Sequence, residues 1–328
     1  MSQVTRDSVA KKAGVSSATV SRVFNAPLSV SPVLRNKVLE SAKALGYIPN
    51  KAAAQLRRSG TGVIAVVELA KKGRPYYWGS LASFDWFYGQ VMRGLQTAVE
   101  KSSWQLTFAS IRNEEELLQL AARCDGIIGY DVDDKEEEKL FMDAGIPCIL
   151  CHHIMPGPGL CRFSTDNERG GVLQADYLGS LGKSRPLYVT GYLSQVQPHV
   201  QRMKGFCSHA WEHCAVEEVA FGCRGEVEKL ANRVQGMFED GLIDSIACVN
   251  DLTLVQLLLH LKEYDLACVG YDAAPFSDFL PGTIASVDLH IGTIYQSALA
   301  SLIAHLGGAD LEGRTFEPSL VIKGEGKP

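Results

Sequence analysis

The sequence predicts an all-α head followed by an α/β body of two doubly wound, parallel-sheet lobes. Three observations carry that reading. The first sixty residues hold three short helical patterns and ten Lys/Arg against two acids, a local charge of +8, which leaves −13 for the remainder of a chain with net charge −5. From Gly62 onward short apolar runs alternate with helical patterns, as they do where parallel strands are covered on both faces. The alternation comes in two series, and 328 residues suffice for a head and two such lobes.

The head is predicted element by element. Thr5 caps a first helix over about residues 6–13, with Val9, Ala10 and Ala13 on one face. Gly14 ends it, because glycine tolerates the left-handed backbone that closes helices. Ser16 then caps a second helix in the stretch SSATVSRVFN. Val20, Val23 and Phe24 form its apolar stripe, while Ser17, Ala18, Ser21, Arg22 and Asn25 lie off that stripe. Two helices joined through Gly14 and Val15 alone read as helix-turn-helix. Small residues let such a helix approach base edges, and Arg22 can bond guanine O6 and N7 together. A third helix begins at Ser31 with Pro32 in its first turn. Leu34, Val38, Ala42 and Leu45 make its apolar face, and Gly46 stops it. Pro49 breaks the chain and Asn50 caps a short helix from Lys51 to about Arg57. So short a helix is marginal alone and is expected to form on docking. Gly60 and Gly62 read as a linker. The basic head on an acidic body suits a module that binds a polyanion.

In the body the first series of strands is Val63–Val67, Gln105–Ala109, Gly126–Tyr130 and Cys148–Cys151. The second is Leu187–Thr190, Val216–Phe221, Ile246–Val249 and Ala267–Gly270. Helical patterns between them include Gln90–Lys101, Lys135–Ala144, Glu168–Leu181 and Leu252–Glu263. Ligands of open α/β sheets bind beyond the strand C-termini, so two facing lobes make a binding cleft.

Residues 5–58 resemble the DNA-binding head of the lactose-repressor family of bacterial transcription regulators. The resemblance rests on Val9-Ala10, Ala13-Gly14-Val15-Ser16, the run Thr19-Val20-Ser21-Arg22-Val23-Phe24-Asn25, Val30-Ser31, and Gly46-Tyr47-Ile48-Pro49-Asn50 with Ala53 and Leu56. It implies that Ser17, Ala18 and Arg22 face bases, and that Ser16, Thr19, Ser21, Asn25 and Asn50 hold phosphates. Thr5, Ser31, Tyr47 and Ala53 complete the implied DNA-binding set. The short segment around Leu56 becomes a hinge helix in the minor groove, where Leu56 wedges between base pairs beside its dimer mate. An apolar wedge costs a few kcal/mol of unstacking and gains a bent, better-wrapped duplex.

The body resembles the same family and, with it, periplasmic sugar-binding proteins. The matching marks are Gly126-Ile127-Ile128, Gly145-Ile146-Pro147, Asp166-Asn167 with Gly170-Gly171, Arg202 before Gly205-Phe206, Asn250-Asp251 and Gly270-Tyr271-Asp272. The resemblance implies an effector held by Arg202, Asn250 and Asp272, with Phe163 and Phe221 as candidates to stack on a ring. Asp85, Trp86 and Phe87 fall where the first lobe's opening loop contributes. The chain departs from the pattern at His152-His153, where many members carry an aspartate, and His152 joins the candidate effector set. The Ser110–Arg123 segment also looks shortened. The implied domains are 1–49 for the helix-turn-helix, 50–61 for hinge helix and linker, and 62–328 for the body. Within the body, lobe one takes 62–161 plus 291–320, and lobe two takes 162–290 plus 321–328.

The implied function is a DNA-binding transcription regulator, read as a repressor. It acts as a homodimer on a pseudo-palindromic operator and is controlled by a sugar or related metabolite. Two other classes stay open: a solute-binding protein, or a cytosolic metalloenzyme using the same body. Cys148-Ile149-Leu150-Cys151-His152 matches a haem-attachment pattern, but reads more simply as a buried strand. His209-Ala210-Trp211-Glu212-His213 matches an inverted zinc-protease motif, expected instead on a surface helix. Asp131, Asp133 and Asp134 read as a solvated acidic loop. No catalytic residue, metal or cofactor is expected. The nine scattered cysteines, the polar N-terminus and the lack of a bilayer-length apolar run point to the cytoplasm. No heptad run closes the chain, so no tetramer-forming coiled coil is expected.

Overall fold

The computed structural model describes residues 6–25, 30–45, 60–70, 85–100, 102–130, 132, 134–152, 159–191, 196–219, 224–261, 266–276 and 284–323. Its head consists of α1 (Arg6–Ala13), α2 (Ser17–Asn25) and α3 (Pro32–Leu45). Gly14 adopts φ +62°, which lets the chain turn between α1 and α2, and the Val15 N–H donates to Ala10 O at 3.0 Å. The Thr19 N–H donates to Ser16 Oγ at 3.0 Å, so Ser16 satisfies one of the donors that a helix start leaves open. Val9, Ala10, Ala13, Val20, Val23, Val38 and Ala42 close into one small core. Every one of them lies on the apolar faces that the helical spacing marked out.

The body follows as β1 (Val63–Leu69), α4 (Asp85–Val99), β2 (Gln105–Ile111), α5 (Glu114–Ala121), β3 (Gly126–Tyr130), α6 (Lys135–Met142), β4 (Cys148–Cys151) and β5 (Cys161–Thr165). Next come α7 (Asn167–Ser180), β6 (Pro186–Thr190), α8 (Gln197–Cys207), β7 (Ala215–Glu218), α9 (Arg224–Glu239), β8 (Ser245–Cys248), α10 (Asp251–Leu258) and β9 (Ala267–Tyr271). The chain finishes through β10 (Ile284–Asp288), α11 (Ile291–Leu306), β11 (Arg314–Phe316) and β12 (Ser319–Lys323).

These strands make two six-stranded sheets, β11-β5-β4-β3-β1-β2 and β12-β10-β9-β8-β6-β7. The first is parallel throughout. The second is parallel except for β12, which runs antiparallel to β10. In each sheet the strand order reverses beside the first strand, between β1 and β3 and between β6 and β8, which opens a crevice at the strand C-termini.

Alternate residues of each strand feed opposite faces. Ile64, Val66, Ile128 and Ile149 point to the layer of α4 and α11, while Ala65, Val67, Ile127 and Leu150 point to that of α5 and α6. In the second sheet Leu187, Val189, Ile246 and Cys248 pack under α9 and α10, and Tyr188, Ala247, Val269 and Ala285 under α7 and α8. Fully burying each large aliphatic side chain contributes about 1.5–3 kcal/mol.

Two helix pairs approach so closely that only glycine fits. A Cβ on Gly171 would fall on Arg202 O, and one on Gly205 would fall on Glu168 O, across the α7–α8 contact. A Cβ on Gly94 would likewise fall on Gly292 O, across the α4–α11 contact.

The expected lobe boundaries shift. The 161/162 division falls inside β5, whose parallel pairing with β4 and β11 keeps Cys161–Thr165 in the first sheet. The 320/321 division falls inside β12, all of which pairs with β10 in the second. The chain thus crosses between sheets after Thr165, after Asp288 and after Phe316. Hydrogen bonds tie the crossings together: Thr165 Oγ1 donates to Leu289 O at 2.9 Å, and the Asp166 N–H donates to Phe316 O at 2.9 Å. His290 caps α11 at φ +58°, with its Nε2 3.2 Å from Ser319 Oγ.

Candidate functional site

On the head, Arg22 and the neighbouring cations Lys11, Lys12, Lys37 and Lys43 are exposed, while Val20 and Val23 on the other side of α2 are buried. The helix therefore presents a guanidinium to solvent while its opposite stripe anchors it. Ser16 Oγ also lies 2.8 Å from Thr19 Oγ1, so the two hydroxyls sit together at the helix start. Helix N-termini attract phosphate through their open N–H groups and dipole. Ser17 and Thr19 are half-buried and Ser31 is exposed. The backbone alone is described for Ala18, Ser21, Asn25 and Asp85. Thr5, Tyr47, Asn50, Ala53, Leu56 and Phe221 lie outside the described residues, as does nearly all of the expected hinge segment.

In the body, Arg202, Asn250 and Asp272 are all buried and come from three different elements of the second lobe. The Arg202 Nε–H donates to Asn167 Oδ1 at 2.9 Å, and its Nη1–H donates to Val249 O at 2.8 Å. Its guanidinium carbon lies 3.8 Å from the centroid of the Tyr271 ring, a cation–π placement. Asp272 Oδ1 stands 3.5 Å from Arg202 Nη1, at the long end for a hydrogen bond. Asn250 caps α10, its Oδ1 accepting from the Thr253 N–H at 2.8 Å. Among the described residues, Arg202 Nη2, Asn250 Nδ2 and Asp272 Oδ2 have no protein partner. Two donors and one acceptor are therefore held in place with capacity to spare.

The turn that carries Asp272 is strained and pinned. Asp272 adopts φ +98° and Ala273 φ +49°, values that cost a side-chain-bearing residue energy. The Ala273 N–H donates to Ser286 Oγ at 2.9 Å, and the Ala274 N–H donates to Asp251 Oδ2 at 2.7 Å. Ser286 Oγ donates in turn to Asp251 Oδ1 at 2.7 Å. Asp251, fully buried, is thus the brace of this turn, a role that sequence reasoning did not assign. Its place beside Asn250 was the available signal. Burial pushes the Asp272 carboxyl up to about 8 against the opposing pull of Arg202, with Asp251 and Asp288 adding to the rise. Near neutral pH the group carries its proton most of the time, so it can donate as well as accept.

The first lobe contributes aromatic surface. His152 stands just past β4 at φ +81°, its ring 4.8 Å from that of Phe87 on α4. Trp86 meets Phe276, which follows β9, edge to face at 6.1 Å, so an aromatic contact spans the two lobes. The buried Trp86 Nε1 has no partner among the described residues. Phe163 was expected to stack on a ligand ring; it is instead 2% exposed, in the core against Phe316. Its position within β5, short of the strand end, points it into the first lobe's packing.

The two metal-like motifs take ordinary places. Cys148 and Cys151 are buried in β4. His209–His213 is not helical: α8 ends at Cys207, and His209 lies against Trp211 with ring centroids 4.3 Å apart. The expected surface helix is therefore a loop, and the shared helix face that the zinc motif needs does not exist. Among the described residues no three His, Cys, Asp or Glu side chains converge as metal ligands. Asp134 caps α6, accepting from the Glu137 N–H at 2.9 Å. No described helix is long and apolar enough to cross a membrane.

Residues 6–50 match the family model described as bacterial regulatory proteins, lacI family. Over 96% of both chains, the sequence is 22% identical to the HTH-type transcriptional repressor PurR of Aliivibrio fischeri strain MJ11. The fold superposes on the transcriptional regulator CelR–cellobiose complex with TM-score 0.66 and 22% identity, covering 99% of this chain and all of that one. It superposes on the Lac repressor dimer bound to operator and the anti-inducer ONPF with TM-score 0.65 and 22% identity, covering 98% of each.

Proposed function

We propose that the chain, whose residues 6–50 match the lacI family of bacterial regulatory proteins, is a homodimeric, cytoplasmic repressor whose grip on an operator is set by a metabolite held between its lobes. The observation that carries this reading is the reading helix α2, with Arg22 exposed and Val20 and Val23 locked into the head's core. Two such heads related by a two-fold axis read the half-sites of a pseudo-palindrome. Arg22 bonds guanine in the major groove, with Ser17 and Ala18 small enough to let the helix approach. Ser16, Thr19, Ser21 and Asn25 fix the register on phosphates, which position the protein without reading sequence. Leu56, from the hinge segment, wedges into the minor groove at the centre.

The effector reading rests on the spare hydrogen-bonding atoms of Arg202, Asn250 and Asp272, with Trp86 of the other lobe reaching Phe276, four residues after Asp272. Such a set suits a small ring bearing hydroxyls or ring nitrogens, and related regulators are seen with cellobiose and ONPF. Binding shifts the lobes about the three crossing strands and so moves the two hinge segments relative to each other. A coupling of about 1–3 kcal/mol changes operator affinity about 5–150-fold.

The test begins with selection from random duplexes by the full chain. An enriched inverted repeat is expected, bound by the wild type in a gel-shift titration and lost with Leu56→Ala. A thermal-shift screen of sugars, sugar phosphates and nucleosides then supplies an effector, which must move the operator titration. Failure to enrich any duplex sinks the DNA-binding reading. A hit that leaves operator affinity unchanged sinks the control mechanism.

A further inference from the structure

Two thiols in the second lobe stand apart from every other described cysteine. Cys207 is the exposed last residue of α8, and Cys214 is half-buried just before the edge strand β7. Their Sγ atoms are 4.0 Å apart. The loop between them is pinned along its length. Trp211 stacks on Phe206 with centroids 5.2 Å apart, and its Nε1–H donates to Phe206 O at 3.1 Å. The Glu212 and His213 N–H groups both donate to Ser184 O, at 3.0 and 3.3 Å, and Ser184 Oγ donates to Glu212 Oε2 at 3.0 Å. The two sulfurs are therefore neighbours because the loop is fixed.

We propose that Cys207 and Cys214 are a redox-active dithiol that a peroxide closes into an intramolecular disulfide. Closing it ties the end of α8, the helix that carries Arg202, to the approach to β7. This gives the second lobe an input separate from the cleft. Cys207 attacks one peroxide oxygen as a thiolate, becoming a sulfenic acid as the O–O bond breaks and water leaves. Cys214 then attacks the Cys207 sulfur, the S–O bond breaks, and a second water carries off the oxygen. The dithiol loses two electrons and two protons, and one peroxide becomes two waters. The sulfurs need to close from 4.0 Å to about 2.05 Å.

The rest of the described thiols do not compete. Burial pushes the Cys124 thiol up to about 11 and those of Cys148 and Cys268 up to about 12, and it raises Cys151, Cys161 and Cys248 as well. One thiol of the 4.0 Å pair shares its proton with the other, which favours a thiolate within the pair, and Cys207 is the more exposed sulfur. The thiolate is the nucleophile, so Cys207 is the one that reacts first.

The test treats the reduced full-length protein with one equivalent of hydrogen peroxide, blocks remaining thiols with iodoacetamide and maps the peptides. Trypsin leaves Cys207, Cys214 and Cys223 together between Gly205 and Arg224, so further cuts after Glu212 and after Glu217 or Glu218 are needed to assign the link. The expected product joins Cys207 to Cys214 with a loss of two hydrogens, reverses with dithiothreitol, and shifts Trp211 fluorescence. In Cys214→Ser, Cys207 should stop at a sulfenic acid that dimedone traps. Without peroxide, iodoacetamide should label Cys207 at least ten-fold faster than Cys124, Cys148 or Cys268. A link through Cys223, or labelling of Cys207 no faster than the buried thiols, overturns the proposal.

Discussion

Ser16 caps α2 and Arg22 stands six residues further along, and the two do different work. Ser16 holds the helix start through the Thr19 N–H, so Ser16→Ala should destabilise the head by about 1 kcal/mol in denaturant unfolding. Arg22 is exposed and supports no packing, so Arg22→Ala should leave stability unchanged. It should instead cost about 1–3 kcal/mol of discrimination between operator and a guanine-substituted site in gel-shift titration. Loss of stability in Arg22→Ala, with specificity intact, would reverse the two roles. In the cleft, Asp272 has a folded value of about 8, above its ordinary carboxylate range. Between about pH 4 and 8 the unfolded chain has released this proton while the folded chain keeps it. The group's contribution therefore favours folding at low pH and declines as pH rises, by up to about 1.4 kcal/mol per pH unit. Asp272→Asn should flatten that limb. Unfolding curves at pH 5 and pH 8 decide it, since equal pH slopes in both proteins would contradict a raised carboxyl.

At the scale of elements, the α7–α8 contact fixes where Arg202 stands. Gly171 and Gly205 leave room only for backbone, so Gly171→Ala must push the helices apart or bend them. A loss of about 1–3 kcal/mol in stability is expected, as for other overpacked contacts. Because Arg202 O lies against Gly171, effector affinity should fall in the same variant, by calorimetry. Gly225→Ala, whose Cβ meets nothing, is the control. The elements also show which patterns were legible. β3 and β4 coincide with the expected Gly126–Tyr130 and Cys148–Cys151, because strands buried on both faces read as continuous apolar runs. β5 and β10 lack a local strand signature because Thr165 and Ser286 interrupt the apolar pattern. These hydroxyls are buried at no cost once Leu289 O and Asp251 accept from them. The partners lie 124 and 35 residues away, where no local pattern reaches.

For the whole molecule, charge and connectivity set the behaviour. The basic head must grip a polyanion while the acidic body repels it. Operator affinity should therefore fall steeply with salt, by about 10³–10⁵ from 50 to 200 mM if the dimer neutralises about six to ten phosphates. Affinity nearly independent of salt in a titration series would exclude the phosphate contacts assigned to α2.

The sequence by itself determined the head. Its three helices, the Ser16 cap, the Gly14 turn and the buried stripe follow from interactions spanning at most one or two helical turns. It also determined that the body alternates strand and helix in two series. Tertiary structure alone decided which strands join which sheet and that the chain crosses between sheets three times. It alone turned Asp272 into a pinned, strained, proton-holding group beside Arg202, seventy residues distant. The reason is physical: helical periodicity is written in neighbouring residues, whereas a charge's surroundings are assembled from segments that meet only when the chain has folded.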